Sequence, residues 1–433
     1  MKLPTSEFFH YAGGELSCEE VPLAGLAGRF GTPAYVYSQS AVLGNFQRVR
    51  AALEGLPALI CYSVKANSNL RILELLRGAG AGFDVVSGGE LARVLRVRAA
   101  PHTIVFSGVG KTKEEIDAGL AAGVLMFNLE SRGELESIES RARALGSVAP
   151  ISVRVNPDID AHTHPYISTG QAFHKFGVPR AEALDLCRHA ARSPYLKVQG
   201  VACHIGSQIL EAGPFERAFE AILEVSQALT AEGINVRTLD LGGGYGISYA
   251  GEQPLDVRGL ARALTRSLTS AARRVAAPPA FPQLILEPGR ALVGDAGALL
   301  TSVLYLKRSP SKNFVIVDAG MNDLIRPALY DAYHEIVPVR QRAGGHWRAD
   351  IAGPVCESTD FLAQDRDLPE VEPGDLLAVL TAGAYGFVLS SNYNSRLRPP
   401  EILVHGAQAQ LIRPRETLDE LLAQEESLLS DGS

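Results

Sequence analysis

Four stretches of this chain place a chemically able group at the end of an apolar run. Lys65 ends L-I-C-Y-S-V-K-A-N, and His204 ends V-A-C-H-I-G-S-Q. Gly242-Gly243-Gly244 ends L-D-L-G-G-G-Y-G, and Glu287-Pro288-Gly289-Arg290 ends L-I-L-E-P-G-R. Taken singly, each has an ordinary reading. A lone lysine at a strand end is usually a solvated charge, a lone histidine a core residue, a triple glycine a tight turn, and a glutamate beside Pro-Gly a turn carboxylate. Taken together, at the same end of successive runs, they describe a site.

The chemistry open to that site is specific. Burial lowers a lysine pKa, and a neutral amine attacks a carbonyl to form a Schiff base. Glycines let an anion approach backbone N–H groups without steric hindrance, and Ser207 can add a hydroxyl. An imidazole such as His204 can lie flat against an aromatic ring, and Glu287 can pair with a protonated ring nitrogen. A carbonyl that forms an imine, a phosphate and a ring nitrogen together describe pyridoxal 5'-phosphate, an electron sink for carbanions.

The elements that must position these groups repeat along the chain. Apolar, strand-like runs fall at 58–63, 82–87, 103–108, 124–129, 151–156, 198–205, 238–242 and 283–287, with helical patterns such as Glu90–Arg98, Lys113–Ala121, Gly133–Leu145, Arg180–Arg192 and Pro214–Ala231 between them. The runs are nearly continuous in apolar residues, as strands buried on both faces are. Eight such units predict a (β/α)8 barrel, in which function gathers at the carboxyl ends of the strands and phosphate at the loops after strands seven and eight. A doubly wound open sheet is the alternative, and no G-x-G-x-x-G follows the first strand to favour its dinucleotide-binding form. Beyond Arg290 the rhythm changes to short strands at 298–306, 313–318, 348–352, 375–380 and 401–405 with Gly and Pro at the joints, which predicts a mainly antiparallel β domain. The expected division is a cofactor-binding barrel over 34–286, with 1–33 and 287–433 forming the β-rich domain.

Composition narrows the class further. A chain of 433 residues is too long for one ordinary core, and a formal net charge of −7 implies no basic face for nucleic acid. No apolar run approaches membrane-spanning length, and M-K-L-P-T-S-E-F-F-H lacks the apolar core of a signal peptide. Cys18, Cys61, Cys187, Cys203 and Cys356 are odd in number and scattered, which predicts a reduced, cytoplasmic protein without a structural metal.

The motifs Y-S-V-K-A-N, H-I-G-S-Q, L-D-L-G-G-G and E-P-G-R resemble those of the fold-type III pyridoxal-phosphate decarboxylases. D-A-G-M-N-D-L-I-R-P-A-L-Y, G-P-V-C-E-S-T-D and G-A-Y-G-F-V-L-S-S-N-Y-N-S-R resemble the diaminopimelate decarboxylase family in particular, and the likeness runs from about Thr32 to about Leu403. It implies decarboxylation of meso-2,6-diaminopimelate to L-lysine, the last step of lysine biosynthesis. By this resemblance Lys65 carries the cofactor as an internal aldimine, His204 stacks on its ring and Glu287 pairs with its ring nitrogen. Ser207, Gly243, Gly244, Pro288, Gly289, Arg290 and Tyr385 lie around the phosphate or the substrate, and Asp84 and Arg154 support the cofactor. Arg290, Arg326 and Tyr330 hold the distal carboxylate, Glu357 meets the distal amine, and Cys356 donates the proton after carbon dioxide leaves. The resemblance also implies a homodimer in which Cys356 and Glu357 come from the other subunit, and a mobile segment over His162–Gly177.

Two other readings stay open on the sequence. A sister decarboxylase would act on ornithine, arginine or carboxynorspermidine, substrates that mostly lack a distal carboxylate or present it differently; an ornithine-type enzyme typically carries aspartate after the cysteine, where this chain has Glu357. A cofactor-free regulatory relative would be expected to have lost Lys65 or Cys356.

Overall fold

The structure, a computed structural model, describes residues 2–3, 6–159, 175–272, 282–342 and 344–429. It divides into two compact units. One comprises Asn45–Ile247 and Gln253–Ala291, the other Met1–Gly44, Ser248–Glu252 and Leu292–Ser433.

The first unit is the expected barrel. Its strands are β1 (Ala58–Ser63), β2 (Gly82–Val85), β3 (Ile104–Phe106), β4 (Met126–Leu129), β5 (Ala149–Arg154), β6 (Leu196–Ala202), β7 (Thr238–Asp240) and β8 (Gln283–Leu286). Each pairs in parallel with the next, and β8 closes onto β1 through Leu284–Ala58, Ile285–Leu59 and Leu286–Ile60. Alternate side chains point inward, and Cys61, Val105, Met126 and Ile285 meet as a buried cluster inside the ring. Four of the outer helices begin where small polar side chains cap them. Asn69 accepts from the Arg71 N–H, Ser87 from Glu90 and Ser131 from Glu134, and Thr112 and Glu115 form a reciprocal capping box. These caps start the four helices that follow β1 to β4 and hold the ends of the loops that leave those strands.

The second unit is a mixed sheet around the long strand Gly297–Arg308, which pairs antiparallel with Asn313–Val317, Leu376–Val379 and Ala34–Ser38. Two pairings are parallel, Asn313–Val317 with His346–Ala352 and Glu401–His405 with Ala34–Ser38. The expected domain boundary at residue 34 therefore differs from the structure, where the first unit begins at Asn45 and ends at Ala291. Ala34–Ser38 is buried along its whole length in the β sheet, and the Tyr37 hydroxyl donates to Glu401 Oε1 at 2.8 Å. The N-terminal pattern forms a hairpin of Ser6–Ala12 and Glu15–Cys18, turning through Gly13 and Gly14, both at positive φ. This hairpin belongs to a small four-stranded sheet of its own. Phe361–Pro369, unforeseen in the sequence, pairs with His346–Ala352; its alternation is masked by Gln364, Asp365, Arg366 and Asp367. The acidic tail is the helix Leu418–Leu429. Among the described residues, no helix is long and apolar enough to cross a membrane.

Candidate active site

The barrel brings its predicted residues to one rim. Lys65 sits in a single helical turn, Val64–Ala66, directly after β1. Its Nζ lies 3.4 Å from Asp84 Oδ2 on β2, and the Asp84 side chain is fully buried. Ser63 Oγ donates to the same oxygen at 2.9 Å and is also within 3.0 Å of the Glu287 carbonyl. A carboxylate fixed in this way holds the lysine amine over the barrel mouth; the lysine side chain itself is about a third exposed (37%).

His204 follows β6, and its Nδ1 accepts the Gly243 N–H at 3.0 Å. Nδ1 therefore carries the lone pair, and the proton of the neutral ring is on Nε2. Burial, with the positive charges of Arg154 and Lys65 nearby, pushes the His204 pKa well below the usual imidazole range. Arg154, the last residue of β5, donates to Glu130 Oε1 at 2.8 Å and to the His204 carbonyl at 3.3 Å.

The glycine loop after β7 is tightly enclosed. A Cβ on Gly243 would fall 2.2 Å from the Glu287 carbonyl oxygen, and one on Gly244, where φ is +102°, would fall 2.3 Å from the Gly206 carbonyl oxygen. The first two N–H groups of the run are turned inward, Gly242 donating to Asp240 Oδ1 and Gly243 to His204. The run thus differs from a simple row of anion-binding amides: two of its three N–H groups orient protein side chains. Arg290 and Ser207 meet at the same rim, with Nη2 donating to Oγ at 3.1 Å.

Glu287, immediately after β8, is almost fully buried, and its Oε1 has no hydrogen-bond partner among the described residues. Its carboxyl shares a hydrogen bond with Asp240. Burial, reinforced by the charges of Asp240 and Asp84, raises the Glu287 pKa well above the ordinary carboxyl range, and burial pushes Asp240 up to about 6. That hydrogen bond raises the Glu287 value and lowers the Asp240 value, so Glu287 is the carboxyl that keeps its proton to the higher pH.

Sequence reasoning missed the residues behind this front row. Asp240 accepts from Gly242 and, through Oδ2, from Asn128 Nδ2 at 3.0 Å. Glu130 pairs with Arg154 and accepts the Gly177 N–H at 2.7 Å. Lys111, with a side chain only 1% exposed, donates to the carbonyls of Gly108 and Asn128 and to Glu134 Oε1. The available signal was a charged residue set in an apolar strand end, as in T-L-D-L and F-N-L-E.

In the second unit, Arg326 opens the short helix Arg326–Tyr330 and is buried, while Tyr330 at its end is half-buried. Arg326 Nη1 lies 2.9 Å from His334 Nε2. Cys356 is exposed, whereas the other four cysteines are buried, so it is not an inert core thiol. Its N–H donates to Asn394 Oδ1 at 2.7 Å, and the neighbouring Glu357 is exposed with the Tyr393 hydroxyl 3.4 Å from Oε2. Tyr385 takes a left-handed φ of +55° within G-A-Y-G. Of the segment His162–Gly177, residues 162–174 lie outside the described residues.

The donor set of the barrel rim fits pyridoxal phosphate. Glu287 Oε1 and Asp84 Oδ1 are buried acceptors that no described residue satisfies, and buried acceptors ordinarily have a partner. A primary amine, a neutral imidazole and a guanidinium–hydroxyl pair stand at the same strand ends.

Comparison with known proteins agrees. Residues 40–294 match the family described as pyridoxal-dependent decarboxylase, pyridoxal binding domain. The chain is 51% identical to the diaminopimelate decarboxylase of Neisseria meningitidis serogroup A, over 95% of this chain and 98% of that protein. It is 50% identical to that of Pseudomonas aeruginosa, over 97% and 99%. The crystal structure of diaminopimelate decarboxylase from Helicobacter pylori complexed with L-lysine superposes with a TM-score of 0.89 at 42% identity, covering 94% of this chain and 99% of that one. A barrel with an amine, an imidazole and a buried acid at its carboxyl rim, and a sequence half identical to these relatives along nearly its whole length, place the chain in the diaminopimelate decarboxylase family of pyridoxal-dependent decarboxylases.

Proposed function

We propose that the chain removes one carboxylate of meso-2,6-diaminopimelate, giving L-lysine and carbon dioxide, with pyridoxal phosphate held on Lys65. Family membership carries this reading, and the Helicobacter pylori relative was solved with L-lysine, the product that the reaction would leave. When bound, pyridoxal phosphate supplies an electron sink for the carbanion left by loss of carbon dioxide. Lys65 provides the attaching amine, which Asp84 keeps at the rim. His204 is neutral and anchored by Gly243, so it presents a flat, uncharged ring face. Glu287, backed by Asp240, supplies the carboxyl that would pair with the ring nitrogen. Ser207, Gly244, Pro288, Gly289, Arg290 and Tyr385 serve the phosphate or the substrate, and Arg154 steadies His204 through its carbonyl.

The substrate carries an amino-acid group at each end, so it needs two recognition sites. Arg290, Arg326 and Tyr330 take the distal carboxylate, for which guanidinium offers a two-pronged match, and Glu357 takes the distal amine. Cys356 Sγ–H delivers a proton to the carbon that has lost carbon dioxide. Cys356 and Glu357 act in the partner's site of an isologous homodimer, which gives two equivalent sites; their exposure supports that reading. Free, scattered cysteines support a cytoplasmic location.

The test is product stoichiometry. The purified protein with pyridoxal phosphate should form one lysine per carbon dioxide from meso-diaminopimelate, and Lys65→Ala should lose both the turnover and the visible absorbance of the attached cofactor. Parental turnover by Lys65→Ala would overturn the assignment of Lys65.

A further inference from the structure

Arg290 and Arg326 are the two buried arginines among the described residues, and Arg326 is only 6% exposed. Withdrawing a guanidinium from water is costly unless its donors are met. At Arg326 one of them is met by a histidine. Nη1 lies 2.9 Å from His334 Nε2, and His334 Nδ1 lies 2.9 Å from the Leu380 carbonyl oxygen. A carbonyl only accepts and a guanidinium only donates. The ring is therefore neutral, with its proton on Nδ1 and its lone pair on Nε2 facing the arginine. His334 is wholly buried.

The ring is rigidly mounted. The Leu380 N–H donates to the Glu335 carbonyl at 2.8 Å, so the segment 334–335 and residue 380 are tied in both directions. Just beyond, Ile336–Pro338 pairs with Leu376–Val379. The Arg326 guanidinium also lies over the Tyr249 ring, 4.7 Å from its centroid, and the Tyr249 and His334 rings meet edge to face at 5.4 Å. One N–H direction is thus set by the imidazole and the guanidinium plane by the tyrosine. A neutral acceptor does this without cancelling the positive charge; a carboxylate in the same place would cancel it.

We propose that His334 is a positioning residue for Arg326 and thereby sets the preference for a ligand with a carboxylate at the far end. This rests on the reading above that Arg326 meets the distal carboxylate. His334 touches no substrate in this account; it acts through the orientation of the guanidinium.

The test compares two ligands of the holoenzyme. L-Lysine, as product, presents its ε-amine to the reacting end and its carboxylate to the far end. Cadaverine is the same chain without the carboxylate. Binding of each is followed through the visible spectrum of the cofactor. His334→Asn keeps a donor for Leu380 and removes the acceptor for Arg326, whereas His334→Gln keeps an acceptor within reach of Arg326. His334→Asn should weaken L-lysine by roughly 10- to 100-fold, the range expected for one hydrogen bond to a charged group, and leave cadaverine within threefold. It should raise KM for diaminopimelate by a similar factor with kcat within threefold. His334→Gln should stay within threefold of the parent for both ligands. Should His334→Asn fail to accumulate as folded protein, His334→Phe, which keeps the ring volume, takes its place. If Arg326→Ala loses the preference for L-lysine over cadaverine while the His334 variants keep it, His334 does not position the arginine. If Arg326→Ala itself keeps that preference, the reading of Arg326 fails instead.

Discussion

The Gly243 N–H and His204 Nδ1 are joined by a 3.0 Å hydrogen bond, so the glycine loop after β7 fixes which nitrogen of the imidazole holds its proton. The same glycine has no room for a side chain, because a Cβ would stand 2.2 Å from the Glu287 carbonyl oxygen. Gly243→Ala should therefore push the loop away from both the imidazole and β8. Overpacking of this kind costs about 1–3 kcal/mol. The expected outcome is a lower melting temperature together with cofactor affinity weakened at least about tenfold, read by titrating the cofactor-free protein with pyridoxal phosphate and following visible absorbance. Unchanged affinity would show that the loop does not hold the ring in place.

The Asp240–Glu287 pair gives a pH dependence with a definite sign. Both carboxyls have raised pKa values in the fold, Asp240 at about 6 and Glu287 higher than usual through burial and its acidic neighbours. The folded state then holds protons that the unfolded chain releases at about pH 4. This contribution to stability is full below about pH 4 and is lost as pH rises through the folded values. In the cofactor-free protein, Asp240→Asn removes one of the two charges. The melting temperature of the variant relative to the parent should rise between about pH 4 and pH 7, by an amount on the order of 1–3 kcal/mol in stability. A difference that is flat with pH would mean that burial does not raise the Asp240 carboxyl.

The proposed sharing of the site between subunits is open to complementation. Lys65→Ala and Cys356→Ala proteins should each be nearly inactive. Dissociated, mixed in equal amounts and reassociated, they should recover about a quarter of parental activity, since half the dimers are mixed and each mixed dimer has one intact site. Verified mixed dimers without activity would place Cys356 in its own subunit's site or outside catalysis.

The front row of the site was legible because its residues are out of character with their surroundings. Lys65, His204, Gly242–Gly244 and Glu287 interrupt apolar runs, and the eightfold rhythm put them at one rim. The row behind was not legible. Asp240 lies within a quoted motif, but its task is to accept from Gly242 and Asn128 and to hydrogen-bond Glu287, and the last two come from β4 and from the loop after β8. Lys111 looks like any loop lysine until the fold buries it against Glu134.

The boundary at residue 34 differs for a similar reason. Tyr35-Val36-Tyr37 has the composition of a barrel strand, and only its partners at Gly297–Leu299 and at Glu401–Leu403 decide that it belongs to the other sheet. Local pattern gives the strand, whereas long-range pairing gives the sheet. Nothing in the sequence around His334 marks it; its value lies in the 2.9 Å contacts on either side of its ring.

Recognition of the substrate by a carboxylate at its far end is tested most directly by kcat/KM for three amino acids. With its α-amine at the reacting end, lysine reaches the far site with an amine alone, as does the shorter ornithine. Either would deny Arg326 and Arg290 the carboxylate they are proposed to meet, a loss that sites built for a polar group convert into discrimination of roughly 10⁴-fold or more. Carbon dioxide release should therefore be rapid from meso-diaminopimelate and lower by about that factor from L-lysine and L-ornithine. Ornithine outpacing diaminopimelate would contradict the account and move the chain's activity to the sister decarboxylases.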